Sequence, residues 1–158
     1  MTIFRSSVWA LIAMAPLVAS SAETATASRA DGLTLELHVD VPRAADAPQV
    51  EGTAVVQNAS PKALSLRSRP QWLGRCGLTL QIRAPGGVER TLPDDEGECL
   101  NTKPREGFPL AAGNAVVVAR TLSRAKHFAA PGTYVVTIGF TEPGGKALVS
   151  SPVEVLIR

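Results

Sequence analysis

Four groups of residues in this 158-residue chain have the types and spacing to do chemistry. Cys76 and Cys99 are the only cysteines and bracket much of the one long stretch that does not alternate apolar with polar residues. Inside that stretch lies the acidic run Asp94-Asp95-Glu96-Gly97-Glu98. Just before it stand Arg67, Arg69, Trp72 and Arg75. Near the front, Glu36, His38 and Asp40 are spaced by two.

Each group admits a specific chemistry and a plain reading. The cysteines can close a disulfide or stay as two thiols. No CxxC or HxxxH spacing accompanies them, so a zinc site is not expected. Glu36, His38 and Asp40 carry side chains that ligate divalent metals. On a strand, however, same-face neighbours stand roughly 7 Å apart, so a metal would need further ligands from an adjacent strand. A solvated polar face is the expected reading, and no metal and no cofactor are assigned. The acidic run lacks the spacing of an EF-hand, so calcium is not expected from it. Long strandless loops often carry function, and a surface for a basic partner is the stronger use of those carboxylates. Arg and Trp are enriched at the energetic centres of protein interfaces. Trp72 can serve there as an exposed anchor, or it can fold over one end of the core as a plug. Catalysis is not expected. His38 and His127 are the only histidines, and no Gly-x-Ser-x-Gly elbow is present.

The chain's first residues read as an export signal. Arg5 gives a positive start, an apolar run of about a dozen residues follows, and Ser20 and Ala22 suit a cut after Ala22. That run falls short of the roughly 20 residues that span a bilayer, so no membrane insertion is expected once the signal is removed. Residues 1–22 are therefore expected to leave, and the mature protein to be periplasmic or secreted. There a Cys76–Cys99 disulfide is the favoured state, stabilising by about 3 kcal/mol in the chain-entropy account. Lys and Arg number 16 against 14 Asp and Glu, and losing Arg5 brings the chain close to neutrality. A nucleic-acid partner needs a clustered excess of positive charge and is not expected. Residues 23–31 are small and polar and are expected to form a flexible leader. Residues 32–158 suffice for one domain with its own core. Asn58-Ala59-Ser60 matches a glycosylation sequon, against which the following Pro61 counts.

The elements that must position these groups are strands. Leu33, Leu35, Leu37, Val39 and Val41 alternate with Thr34, Glu36, His38 and Asp40. Further strands are expected over 49–57, over 63–69 with Leu64 and Leu66 inward, and from Cys76 through Leu78, Leu80 and Ile82. Ala84-Pro85-Gly86-Gly87 is a hairpin turn into a short strand over 88–92. An irregular loop then runs to about Pro109. Strands over 115–122, 133–140 and 147–157 follow. A crossing segment with one short helical turn lies over 123–130. Pro152 interrupts the last strand and belongs at an edge or a bulge. No helical period of useful length and no internal repeat occurs.

Seven or eight short strands with Gly/Pro turns imply an all-β fold, a single antiparallel β-sandwich. The segment from Phe128 through Ala130-Pro131-Gly132-Thr133-Tyr134 resembles the Gly-x-Tyr corner of immunoglobulin-like and fibronectin-III-like domains. The resemblance covers residues 32–158 and is one of architecture. It implies an immunoglobulin-like sandwich in which the Tyr134 hydroxyl bonds back across a corner. The pattern is also similar to that of bacterial proteinase-inhibitor sandwiches, although no reactive-loop motif matches. The expected function is a non-catalytic exported binding module that engages another protein, as an inhibitor or immunity-type partner. Its expected surface is Arg67, Arg69, Trp72 and Arg75 with Asp94, Asp95, Glu96 and Glu98. The rival expectation is a structural or accessory subunit of a cell-envelope assembly.

Overall fold

A computed structural model of the chain describes residues 21–42, 47–72, 77–93, 107–145 and 147–158. In chain order the elements are β1 (Ser21–Ser28), β2 (Leu33–Val41), β3 (Gln49–Asn58), β4 (Leu64–Leu66), β5 (Gly77–Arg83), β6 (Glu89–Leu92), β7 (Phe108–Leu110), β8 (Ala115–Ser123), α1 (Arg124–His127), β9 (Gly132–Thr141), β10 (Leu148–Val149) and β11 (Val153–Ile157). Every strand pairing is antiparallel. One sheet has the order β1-β2-β3-β8. The second runs β10-β9-β5-β6, with β11 also on β9, and β4 and β7 form a separate ribbon. The expected all-β sandwich is therefore the fold.

Period-two alternation builds the core. Leu33, Leu35, Leu37, Val39 and Val41 of β2 point inward and are buried, as are Val50, Ala54 and Val56 of β3. From the other sheet come Leu78, Leu80 and Ile82 of β5, Val136, Ile138 and Phe140 of β9, and Val153, Val155 and Ile157 of β11. Burying apolar area at about 25 cal/mol per Å2 is what holds the two layers together. Phe128, just after α1, meets Tyr134 edge-on with ring centroids 5.1 Å apart. The Tyr134 hydroxyl donates to the Ala130 carbonyl at 3.0 Å and accepts from the Ala130 N–H at 3.1 Å. The expected bond across the corner is present.

Two of the turns show why glycine is needed. At the 84–87 hairpin, Gly87 has φ +81° and donates to the Ala84 carbonyl. Between β1 and β2, Gly32 has φ +89°, and a Cβ there would stand 2.6 Å from Ser60 Cβ.

The structure corrects several expectations. Residues 23–28, expected as part of a flexible leader, belong to β1, whose Glu23 to Ser28 pair with Val39 to Thr34. The apolar content of this segment is low, but its backbone completes the ladder of β2 and it buries Ala25. The expected cut after Ala22 falls within this strand. The strand expected over 63–69 shortens to β4, because Leu64–Leu66 pairs with β7 rather than with a main sheet. Its partner β7 lies where the loop was expected to continue. The last strand splits at Ser150-Ser151-Pro152 into β10 and β11, on the edge where Pro152 was expected.

Candidate functional site: an arginine-aromatic strap at a free sheet edge

Among the described residues β8 is the edge of its sheet and pairs with β3 alone. The Arg124 N–H bonds the Pro48 carbonyl, and the Asn58 N–H bonds the Asn114 carbonyl. With Gln49 opposite Ser123 and Val56 opposite Val116, the even-numbered residues of β8 therefore address β3. The odd-numbered residues, Val117, Ala119 and Thr121 among them, turn their N–H and C=O groups to the open side. At Ala119 that side is touched by Trp72, whose Nε1 donates to the Ala119 carbonyl at 3.3 Å.

Trp72 arrives on a strap, residues 67–72, that leaves β4 and is bonded to both sheets. At its start, the Arg67 N–H donates to Glu142 Oε1 at 2.6 Å, and Arg67 Nη1 donates to the Pro143 carbonyl at 3.0 Å. At its far end the Gln71 carbonyl accepts the Leu78 N–H of β5 at 2.8 Å. Trp72 is half-buried and packs against the core, with the Arg120 guanidinium 5.6 Å from its ring centroid. Its ring is thus neither a fully buried plug nor a fully exposed side chain. Arg69 stands 5.8 Å from the centre of the Phe108 ring. Arg67 and Arg69 are exposed, as their parity opposite Leu64 and Leu66 required. Among the described residues no carboxylate lies within ion-pair distance of Arg69 or Arg120. A guanidinium laid on a ring keeps its N–H fork open to a planar anion. Between the two arginines of the strap, the Ser68 hydroxyl oxygen is buried without a hydrogen-bond partner among the described residues.

The anchor of the strap was not legible in the sequence. Glu142 is only 8% exposed, and its Oε2 accepts Arg29 Nη1 at 2.6 Å. Arg29 also grips Asp31 through Nε at 2.8 Å and Nη2 at 2.7 Å. The Arg29 hydrogen bond holds the Asp31 carboxyl below its ordinary range, and Asp31 in turn, with Glu142 behind it, holds the Arg29 guanidinium charged. The first turn, the strap and the turn after β9 are thereby joined at one end of the sandwich. Glu142 precedes Pro143-Gly144-Gly145 and reads in sequence only as the start of a turn. Arg120 was missed because it sits in a strand whose valines dominate the pattern, and Phe108 because it stands at the end of the stretch read as an irregular loop.

The other expected residues fall as follows. Arg75, Cys76, Asp94, Asp95, Glu96, Glu98 and Cys99 lie outside the described residues, and so does the proposed Cys76–Cys99 bridge. Glu36, His38 and Asp40 share the outer face of β2, where His38 Nε2 is 3.4 Å from Glu36 Oε2 and Nδ1 is 3.2 Å from Thr24 Oγ1. That hydroxyl–imidazole–carboxylate order stands on the outer face of β2, away from the buried Leu33, Leu35 and Leu37. Among the described residues no three His, Cys, Asp or Glu side chains group as metal ligands. Asn58, the sequon asparagine, is fully buried, and its Nδ2 donates to the Lys62 and Leu110 carbonyls at 2.7 and 2.9 Å. Its side chain is a tie between turns and is closed to glycosylation in the folded state.

No known protein family, no curated protein and no solved structure matches this chain.

Proposed function

We propose that the protein is a non-catalytic, exported binding module that holds another protein against the strap and the β8 edge. The observation that carries this reading is the pair of arginines, Arg69 on Phe108 and Arg120 on Trp72, stacked on rings with no carboxylate among the described residues to satisfy them. Desolvated aromatic and arginine side chains of this kind supply most of the energy in protein interfaces. Glu142 fixes the strap in advance, which lowers the ordering entropy lost on binding. An inhibitor or immunity-type role toward an exported enzyme suits such a fixed surface. We read residues 1–22 as the export signal, the location as periplasmic or secreted, and Cys76–Cys99 as a disulfide. Arg75 and the carboxylates of Asp94, Asp95, Glu96 and Glu98 are assigned to the same surface. We also infer immunoglobulin-like, fibronectin-III-like kinship, supported by the sheet order and by the Tyr134–Ala130 bonds.

The experiment is capture from an envelope extract with mature protein as bait, beside Arg69→Gln and Arg120→Gln variants whose thermal midpoints match the parent. Loss of the captured protein with Arg69→Gln supports the reading. Undiminished capture by both variants rejects this surface. One observation favours a second reading, a subunit of an envelope assembly: β8 is nine residues long and, among the described residues, unpaired along one side. Sedimentation decides that alternative, which requires self-association or a stoichiometric envelope partner.

A further inference from the structure

The four sheet edges differ in how open they are. The outer side of β1 is met by residue 151, whose N–H donates to the Thr26 carbonyl at 3.1 Å. The β10–β11 edge is interrupted by Pro152, which has no N–H to offer. β6 is four residues long. Among the described residues β8 offers the longest such run of backbone groups, with Ala115, Val117, Ala119 and Thr121 addressing the side away from β3. Of their carbonyls, that of Ala119 is taken, by the Trp72 indole at 3.3 Å. A neutral bond of that length is worth about 1 kcal/mol or less, so an incoming strand can displace it.

The side chains along this edge select the occupant. Ala115, Val117, Ala119 and Thr121 on the outer face are small and uncharged, and Val117 is 64% exposed. They present no like charge and no bulk to a neighbouring strand. The charge beside the edge is positive. Arg120 lies within β8 itself, and Arg69 belongs to the adjoining strap, each stacked on an aromatic ring. The one carboxylate bonded to the outer row is Glu51, held by Thr121 Oγ1 at 3.2 Å on the β3 side.

We infer that β8 accepts an extended segment of a partner protein as an added antiparallel strand, and that this segment carries acidic side chains on the face toward Arg69 and Arg120. The inference rests on the binding-module reading above and names the chemistry of its partner. Backbone bonds to Val117, Ala119 and Thr121 supply affinity, and the two arginines supply the preference. Trp72 leaves the Ala119 carbonyl on binding. It is the sole tryptophan after residue 22, so its fluorescence reports that step alone.

The test uses mature protein and eight-residue peptides alternating Glu with Val or Thr, against the same peptides with Lys in place of Glu. The acidic peptide should bind at least tenfold more tightly, and the preference should shrink as salt is raised. The amides of Val117 and Thr121 should gain protection from hydrogen exchange. Arg69→Gln and Arg120→Gln should each weaken binding severalfold. Trp72→Phe, which removes the competing donor and keeps a ring, should strengthen it. N-methylation of alternate peptide amides should abolish it, without altering the protein at all. Equal binding of acidic and basic peptides, or of the N-methylated peptide, overturns the inference. So does protection of Val117 and Thr121 in the free protein, whether from a second copy detected by sedimentation or from residues 94–98, which neutral substitution there would reveal. If the peptides fail while envelope capture remains sensitive to Arg69→Gln, the inference falls and the binding-module reading stands. If both fail, both fall.

Discussion

Replacing Glu142 by Ala should loosen the strap and destabilise the whole domain. The carboxylate is 8% exposed and accepts two bonds of 2.6 Å, one from the Arg67 N–H and one from Arg29. Hydrogen bonds to charged groups are worth about 1.5–3 kcal/mol each. The Arg29 side chain is 34% exposed and keeps Asp31, so its share is screened by solvent to about 0.5 kcal/mol, at most about 1. The expected cost of Glu142→Ala is therefore about 2–3 kcal/mol. A domain of about 130 residues gains roughly 0.27 kcal/mol per kelvin of unfolding entropy at its midpoint. The midpoint should then fall by about 7–11 °C. Glu142→Gln keeps an acceptor for the Arg67 N–H and loses only the charge facing Arg29. It should cost about 1 kcal/mol, or about 4 °C. Differential scanning calorimetry measures both, and Trp72 fluorescence shows whether the indole shifts as the strap loosens. A midpoint within 1 °C of the parent for Glu142→Ala, with unchanged fluorescence, would refute the claim that this carboxylate anchors the strap.

Other outcomes follow from the same physics. Tyr134→Phe removes both bonds to Ala130, whose backbone is near water and can be rehydrated, and should cost about 1–2 kcal/mol in urea unfolding. Asn58→Ala leaves the Leu110 carbonyl without its buried donor and should cost about 2–3 kcal/mol, read from the same titration. Asp31 has its carboxyl held below the ordinary value of 3.8 by Arg29, so the unfolded chain binds its proton more readily than the folded one. Its stabilisation is complete above that ordinary value and is lost as pH falls through the lower folded one. Asp31→Asn should flatten that acid limb of a stability-against-pH curve and leave the slope near neutrality unchanged. The proposed Cys76–Cys99 disulfide requires that reduction lower the midpoint while the far-ultraviolet spectrum of the sandwich persists.

The parts of the fold that were legible in sequence are those with strict period two. Leu33 to Val41 alternates without exception, and β2 has those bounds. Gly87 marked its hairpin because a positive φ was needed there, and Tyr134 marked its corner because Gly132 precedes it by two. The failures have one physical cause. β1 and β7 are strands held by ladder bonds and by neighbours far along the chain, and neither carries its own apolar period. Arg67, Arg69 and Trp72 were recognised as a surface, yet the groups that complete it were not. Arg120 lies in a strand whose valines dominate the pattern. Glu142 acquires its role only when turns separated by more than a hundred residues meet, as the Arg29–Glu142 bond shows.

The most direct test of the central claim is photo-cross-linking in cells that produce the protein. A photoreactive residue is placed at Arg69 or at Val117, and for comparison at Glu154 on the exposed face of β11. The binding-module account predicts one protein species joined to the protein through positions 69 and 117 and absent at 154. The same adducts from all three positions, or none from any of them, would contradict it.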